Sequence, residues 1–464
     1  MQIVGANASP FRSQSRPTAE KAPSNPPVYE VARTLESDKW ERISVLHDSD
    51  PIFVQREFLE RSKHRDPEIV EAFGTDAPFS GNALLHYAGD PASGKAVKTP
   101  VLLVHGANKD GNFYWDPSED GSDRGLAQHL REKGHPAYAI TFAHNQDDNF
   151  LQAEQIANAI AQIKKETGAE KVDLVAHSKG GVAARIYTSD VRKEGVESTP
   201  YQGDVRRLVL VGAPNGGVDY IFRHPSANFA LLQSSDEPLL NAPVSWEKTG
   251  MFPLFRDVSH SGYSNEKRDY FPGQDQLLAD LSKDHPLSVI EPDWATTYHG
   301  GIGFQSVSRG IHHYIEQGEN LIERLNQNPP NKDVEVAILA GNSPSIPGIL
   351  NEYTGPSDGL VFVSSALRMP NGTNVVAKDV LPLHHKALIA DRAGQEWIAS
   401  ALEDKRPAGA DQDKLVEAQR PWSTQQVKSQ AEQALKTNRG LSSESGNGDF
   451  QFAVHDASLD HLLR

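Results

Sequence analysis

The chain has 464 residues, a formal net charge of −16 and no cysteine, with 38% hydrophobic and 23% charged residues. A chain of this length can bury a large core, and its composition is ordinary for a globular protein. The negative charge argues against binding to nucleic acid or to anionic membrane surfaces, and the missing cysteines exclude disulfides and thiolate metal sites.

The first 95 residues divide into a polar leader and an extension. Residues 1–27 are rich in Ser, Pro and Ala and lack the apolar core of a signal peptide. This predicts a disordered leader on a protein that is cytoplasmic or exported by a leaderless route. Residues 28–95 contain a predicted helix over 51–71 and a predicted strand over 83–88, and they supply either outer strands of a sheet or a separate cap. No apolar run reaches the length of about 18 residues that a membrane span needs.

An unbroken apolar run over 101–104 predicts a buried strand, which His105 and Gly106 close. In hydrolases built this way, the residue after the His-Gly pair points its backbone N–H at a nucleophile. Ala107 is therefore the first candidate oxyanion donor, and we expect His105 to brace the loop through hydrogen bonds. The polar and aromatic stretch 108–123 lines an acyl pocket or forms a solvated loop.

The next segments alternate between strand and helix patterns. Within the helical pattern, Ile156, Ile160 and Ile163 fall on one face, and polar residues before it offer N-caps. The alternation predicts an α/β fold with a mostly parallel sheet, flanking helices and right-handed crossovers, in which functional residues lie at the carboxyl ends of the strands. The predicted elements in this first part of the core, residues 96–214, are 136–143, 151–165, 172–177 and 205–214.

A serine follows directly on the strand 172–177. Ser178 stands between Ala176 and Gly180, and a helix-forming stretch comes next. This is the sequence form of a nucleophile elbow, a sharp strand-to-helix turn that projects the serine oxygen above the sheet edge. Because a helix N-terminus points free N–H groups at the same place, the backbone N–H of Lys179 is the second candidate oxyanion donor.

Between residues 215 and 330 the alternation stops, over a length far beyond an ordinary connection. The segment is rich in aromatic residues. It is predicted to be an inserted cap, or lid, that shields an ester and selects the substrate, or else a rigid structural insertion. One helix is predicted over 314–326, and the glycine-rich stretch 298–304 is a hinge or a tight packing site.

The second part of the core, residues 331–404, begins with a predicted strand over 334–342. The loop after this strand contains Asp358, followed by Gly-Leu-Val. This aspartate is the candidate acid that orients a catalytic histidine and stabilises its imidazolium. Asp219 and Asp379 are the alternative acids.

A general base must follow in the order serine, acid, histidine. His385 is the first choice, because a helix is predicted to begin after it, and His384 is the alternative. His312, His313 and His455 lie in the wrong sequence context.

The chain ends with a packing helix over 397–402 and a polar extension, residues 405–464. The extension has a helical pattern over 424–436 and a linker rich in Ser and Gly over 441–448. No function is assigned to it.

The nucleophile elbow, the His-Gly strand and the Asp-Gly-Leu-Val loop resemble those of bacterial triacylglycerol lipases of the α/β-hydrolase fold, over residues 97–403. One branch of those lipases also has alanine at the position of Ala176. The resemblance implies a lipase or esterase that acts on a small-molecule or lipid ester without a cofactor. Relatives that bind a structural calcium ion place Asp two residues after the catalytic histidine. This chain has Ala387 there, so we expect no metal requirement.

The residues predict a serine hydrolase in which Ser178 attacks an ester carbonyl, His385 takes its proton and Asp358 orients His385, through an acyl-enzyme. A polyester depolymerase, a phospholipase or an acyltransferase would use the same triad. A protein of another class, a catalytically silent α/β-hydrolase fold that binds a ligand or a partner, is the remaining alternative.

Overall fold

The computed structural model describes residues 26–50, 52–58, 62–91, 97–118, 121, 123–225, 271–287, 293–303, 307–347, 351–403, 412–430 and 432. Most of the predicted leader, a large part of the predicted cap, the 441–448 linker and His455 lie outside these residues.

A nine-stranded sheet lies at the centre of the molecule, with the strand order β1-β2-β3-β5-β4-β6-β7-β10-β11. The pairs β1–β2, β2–β3 and β3–β5 are antiparallel, and all later neighbours are parallel. This order is that of the α/β-hydrolase fold and confirms the predicted fold class. The strands are β1 (Glu30–Leu35), β2 (Arg42–His47), β3 (Asn82–Tyr87), β4 (Val101–Val104), β5 (Ala137–Phe142), β6 (Val172–His177), β7 (Val205–Val211), β10 (Glu335–Gly341) and β11 (Val375–Leu381), with β8 (Gly301–Ile302) and β9 (Val307–Ser308) forming a separate two-stranded ribbon.

Helices cover both faces of the sheet. Along β6, Leu174 belongs to the core on one face, together with Ile160 of α3 (Asn149–Thr167), whereas Val175 belongs to the core on the other face, together with Ile398 of α12 (Arg392–Leu402), as the alternation of a strand requires. The helices are α1 (Pro67–Phe73), α2 (Leu126–Glu132), α3 (Asn149–Thr167), α4 (Lys179–Thr188), α5 (Tyr220–Arg223), α6 (Pro272–Asp275), α7 (Trp294–His299), α8 (Ile311–Gln317), α9 (Leu321–Gln327), α10 (Val363–Ala366), α11 (Ala387–Ala390), α12 (Arg392–Leu402) and α13 (Gln412–Ala418).

The N-terminal extension supplies outer strands of the sheet. β3 is the predicted strand, and it joins β2 to the core by pairing with β5. The predicted helix over 51–71 is wrong at residues 52–58 and 62–66, because α-helix begins at Pro67 among the residues described in this range. Proline is tolerated in the first turn but not inside a helix, and the Asp66 carboxylate caps this start by accepting from the N–H groups of Glu68 and Ile69.

The predicted helix over 314–326 is also wrong as a single element. It is broken into α8 and α9 at Glu319 and Asn320, which have φ values of 60° and 50°. By contrast, the helix predicted over 151–165 is confirmed as α3, which Asp148 caps by accepting from the N–H of Phe150.

The described aromatic part of the stretch 108–123 is buried rather than a solvated loop, and its role in lining an acyl pocket stays a prediction. Phe113 and Tyr114 are buried in the core, and the Tyr114 hydroxyl donates to the carbonyl of Val104 at 2.7 Å. The aromatic residues of this stretch therefore stabilise the end of β4.

Part of the polar C-terminal extension packs on the sheet. Leu415 of α13 is buried, and Lys414 Nζ lies 2.6 Å from Asp379 Oδ1 at β11. Residues 424–430, within the helical pattern predicted over 424–436, are helical. Searching the described ranges finds no helix that is long and apolar enough to span a membrane.

Candidate active site

Ser178 occupies a strained turn between β6 and α4. Its φ and ψ are 55° and −130°, a conformation that residues with a side chain rarely adopt. The turn is held by hydrogen bonds from Ser178 N to the Val211 carbonyl (3.0 Å) and from Gly181 N to the Ser178 carbonyl (2.9 Å).

Two glycines allow the backbone to pass close to this turn. A Cβ on Gly106 would lie 2.6 Å from Ser178 Cβ, and a Cβ on Gly180 would lie 2.4 Å from the His105 carbonyl oxygen. Neither position has room for a side chain. The crowding brings the loop after β4 against the serine, as the pattern of small residues predicted.

Asp358 and His385 form a buried hydrogen-bonded pair. His385 Nδ1 lies 2.7 Å from Asp358 Oδ2, with side chains that are 6% and 1% exposed. The backbone joins them again, because His385 N donates to the Asp358 carbonyl at 2.8 Å. The structure therefore brings the predicted acid and the predicted base together in the geometry that fixes an imidazole tautomer.

Local backbone groups orient the Asp358 carboxylate. Its Oδ1 accepts from Leu360 N at 3.1 Å and from Val361 N at 2.9 Å. This tight turn needs Gly359, whose φ is 100°. The Asp-Gly-Leu-Val sequence is thus explained: the glycine turns the chain, and the next two residues hold the carboxylate.

His177 ties the base to the elbow. Its Nε2 donates to the His385 carbonyl at 3.0 Å, and the two rings are 4.7 Å apart. Burial, together with the neighbouring His385, holds the pKa of His177 well below its usual value, so the ring is neutral. Because His177 directly precedes Ser178, this hydrogen bond joins His385 to the end of β6 that leads into the serine turn.

His105 makes the bracing bonds that were expected of it. Its Nε2 accepts from the backbone N–H of Phe142 at 3.2 Å, and its Nδ1 lies 2.8 Å from the Gly106 carbonyl. Burial lowers the pKa of His105 to about 3, so the ring stays neutral.

The two candidate oxyanion donors belong to the two segments next to the serine. Ala107 follows Gly106, which packs on Ser178, and Lys179 is the first residue of α4. The N–H groups of a first helical turn have no acceptor within the helix. Both backbone groups therefore belong to segments that contact the serine.

The alternative acids are engaged elsewhere. Asp219 forms a fully buried ion pair with Arg223 at 2.6 Å, and Asp379 accepts from Trp397 Nε1 at 3.1 Å. The alternative base, His384, accepts from Ala387 N at 3.3 Å through its Nδ1. The structure thus pairs His385 and Asp358, rather than any of these, beside the elbow.

Two buried polar clusters were not predicted from the sequence. Arg223 joins Asp219 to Glu352, whose carboxylate also lies 3.1 Å from His224 Nε2, at the start of the Asp358 loop. The second cluster surrounds the Lys179 side chain, whose pKa burial lowers to about 7. No sequence signal marks either cluster, because each joins residues that are far apart in the chain: Glu352 follows His224 by 128 positions, and Lys179 follows Asp147 by 32.

Within the described part of the chain, no group of three or more His, Cys, Asp or Glu side chains is arranged to hold a metal ion.

Comparison with known proteins gives a family match that includes the elbow. Residues 98–224 match the family described as Lipase (class 2). A triacylglycerol lipase of Burkholderia plantarii is 31% identical over 155 residues, covering 31% of this chain and 38% of that protein. One from Pseudarthrobacter phenanthrenivorans is 31% identical over 132 residues, covering 27% of this chain and 36% of that protein. The matches thus span less than two fifths of the length of these two relatives.

A triacylglycerol lipase of Pseudomonas fragi is 26% identical over 242 residues, which cover 50% of this chain and 71% of that protein. Among solved structures, the mature lipase BlEst2 of Bacillus licheniformis aligns with a TM-score of 0.37 and 14% identity over 68% of this chain and 96% of that chain. The resemblance predicted from the motifs is confirmed: residues 98–224 match the class 2 lipase family, and the chain is similar to bacterial triacylglycerol lipases.

Proposed function

We propose that this protein is a serine hydrolase of carboxylic esters, of the lipase or esterase type. The observation that carries the proposal is the buried 2.7 Å contact between Asp358 and His385, which His177 joins by a hydrogen bond to the end of β6, directly before the strained Ser178 turn. A serine, a histidine and a carboxylate in this arrangement are the machinery of acyl transfer. The similarity to triacylglycerol lipases points to esters as the acyl donors.

In the proposed reaction, Ser178 Oγ attacks the ester carbonyl carbon while His385 Nε2 takes the hydroxyl proton. The backbone N–H groups of Ala107 and Lys179 stabilise the oxyanion of the tetrahedral intermediate. The ester C–O bond then breaks, and His385 returns its proton to the departing alcohol. Water, deprotonated by His385, cleaves the acyl-enzyme to release the carboxylic acid and restore Ser178.

Throughout these steps Asp358 keeps the proton of the neutral imidazole on Nδ1, so that Nε2 faces the serine as the base. It also stabilises the imidazolium that forms twice in each turnover. Since the carboxylate is fixed by two backbone N–H groups and buried, it can do both without moving.

The substrate class follows from the relatives rather than from the triad. We propose lipid esters, including triacylglycerols, as substrates, with residues 215–330 acting as a cap over the site. No cofactor takes part in the proposed reaction.

Labelling with a fluorophosphonate tests the proposal, because this reagent modifies serines activated by a neighbouring base. Peptide mapping should place the label on Ser178, and the Ser178→Ala protein should stay unlabelled and lose ester hydrolysis. A panel of esters from acetate to long-chain triglyceride then defines the substrate. If wild-type protein takes no label with or without detergent, the protein is a silent member of the fold and the proposal is wrong.

A further inference from the structure

A buried polar cluster surrounds the side chain of Lys179, the residue after Ser178. It joins the loop between β5 and α3, residues 143–148, to the segment 271–276 and to the residue after the serine. The cluster plays no part in the proton transfers proposed above. Its members Gln146, Gln152, Lys179 and Gln276 are each at most 4% exposed.

Gln146 connects this loop to the segment after β4 that carries Ala107, the first candidate oxyanion donor. Its Nε2 donates to Asn108 Oδ1 at 2.7 Å, and its Oε1 accepts from Gln274 Nε2. Its backbone carbonyl also accepts from Gly273 N at 3.1 Å. Asn108 follows Ala107 and has a φ of 56°, so this hydrogen bond holds the residue next to the first donor in an unusual conformation.

Lys179 connects the same loop to the start of α4, where its own backbone N–H is the second candidate oxyanion donor. Its Nζ donates to the Asp147 carbonyl at 2.8 Å and to Gln152 Oε1. The backbone of Gly273 lies directly on this side chain, because a Cβ there would be 2.5 Å from Lys179 Cε. The residue that presents the second donor is therefore fixed by its own side chain.

The segment 271–276 is itself locked onto the core. Asn149 Nδ2 donates to the Gly273 carbonyl and to Gln276 Oε1, both at 2.9 Å, and Asn149 N donates to Gln276 Oε1 at 2.7 Å. The segments that carry the two candidate oxyanion donors thus both contact residues 144–149 and 271–276, one through Gln146 and the other through Lys179.

We infer that Gln146 and Lys179 are positioning residues for the oxyanion hole, which hold the Ala107 and Lys179 N–H groups at a fixed separation by anchoring both segments to residues 144–149 and 271–276. The inference rests on the proposed ester hydrolysis. Oxyanion donors act by being in place before charge develops, so the rate is sensitive to the stiffness of their support. A displacement of about 1 Å in such a group costs about 10²-fold in rate.

Two substitutions break the first connection from opposite ends. Gln146→Leu removes the donor, whereas Asn108→Gly removes the acceptor and keeps a residue that adopts a φ of 56° without strain. We expect each to lower kcat on a soluble short-chain ester about ten- to a hundredfold with little change in KM. The double variant should lose no more than either single variant, because both break one hydrogen bond.

Binding of an alkyl boronic acid separates positioning from stability. The tetrahedral adduct of the boronic acid with a serine carries a negatively charged oxygen at the oxyanion position, so its Kd should rise by the same factor as kcat falls. The Kd of an ether analogue of the ester, which lacks the carbonyl and forms no oxyanion, should stay unchanged. Gln327→Leu is the matched control, because Gln327 is exposed on α9 and the chemical change is the same. This control should keep wild-type kcat and boronate affinity.

The second connection is tested with Lys179→Met, which keeps the unbranched stem and removes the ammonium, against Lys165→Met at an exposed position of α3. We expect the same parallel loss of kcat and boronate affinity in Lys179→Met alone. If Asn108→Gly and Lys179→Met are folded and keep wild-type kcat and boronate affinity, the inference is wrong even though the proposed function stands. If wild-type protein neither hydrolyses esters nor takes the fluorophosphonate label, the proposed function itself has failed.

Discussion

Replacing His177 by phenylalanine tests whether the backbone of the proposed base must be held in place. His177 Nε2 donates to the His385 carbonyl at 3.0 Å, while its buried Nδ1 has no hydrogen-bond partner among the described residues. Phenylalanine keeps a flat ring of similar size and removes both nitrogens. The substitution therefore deletes one hydrogen bond and one unpaired polar atom.

These two deletions have opposite effects on the free energy of unfolding. An unpaired buried carbonyl costs about 1–3 kcal/mol, and removal of an unpaired buried nitrogen recovers a similar amount, so the net change should be about 1 kcal/mol or less. Catalysis has no such compensation, since a base displaced by about 1 Å loses about 10²-fold in rate. We expect kcat on a soluble ester to fall about ten- to a hundredfold at nearly unchanged stability.

Steady-state hydrolysis and urea unfolding of the same preparations measure both quantities. His135→Phe is the matched control: His135 Nδ1 donates to the Thr99 carbonyl at 2.9 Å, and its Nε2 is buried without a partner among the described residues. It makes the same chemical change away from the site and should keep wild-type kcat. Wild-type kcat in the His177→Phe protein would refute the idea that this hydrogen bond positions His385.

Three further predictions concern the acid, the pH dependence of stability and metal ions. Asp358→Asn should fold normally but lose about 10⁴ in kcat, because the amide no longer selects the tautomer of His385; circular dichroism and kcat together check this, and a loss under tenfold would contradict it. Burial lowers the pKa of Lys179 from 10.5 to about 7, so the unfolded chain binds more protons between these pH values and stability should rise with pH across this window. The melting temperature of Lys179→Met should lack that rise between pH 7 and pH 10. An equal rise in the melting temperatures of both proteins would show that the lysine does not titrate in this way. Because Ala387 replaces the aspartate of calcium-binding relatives, a chelator should change neither activity nor melting temperature, whereas a drop reversed by calcium would disprove this expectation.

The sequence predicted the fold well because the sheet strands of the core are marked by local signals. The run before His105 is uninterrupted and apolar, the run before Ser178 is mostly apolar, and each is followed by a glycine that the crowded turn requires, Gly106 or Gly180. Asp358 could be found because Gly359 provides the positive φ that its turn needs. These features depend on neighbours in the chain, and the sequence shows them directly.

The misses have a different physical origin. The predicted helices run through Pro67 and across the break at Glu319 and Asn320. The first boundary is set by the Asp66 cap and Pro67, and the second by the left-handed backbone of Glu319 and Asn320, neither of which hydrophobic spacing shows. The hydrogen bond between Gln146 and Asn108 joins residues 38 positions apart, and neither residue is unusual in its local sequence. Partners of this kind become visible only once the fold places them together.

The antiparallel strands β1–β3 have a consequence for how this protein can be shortened. The region that matches the lipase family begins at residue 98, but β3 pairs with β5 along one whole side and buries Leu84 and Leu85 against the core. A version trimmed to the family boundary would expose β5 as an unprotected edge strand and leave apolar side chains without cover, a combination that favours aggregation. The smallest soluble catalytic unit should therefore begin before Glu30, well outside the segment that sequence similarity delimits.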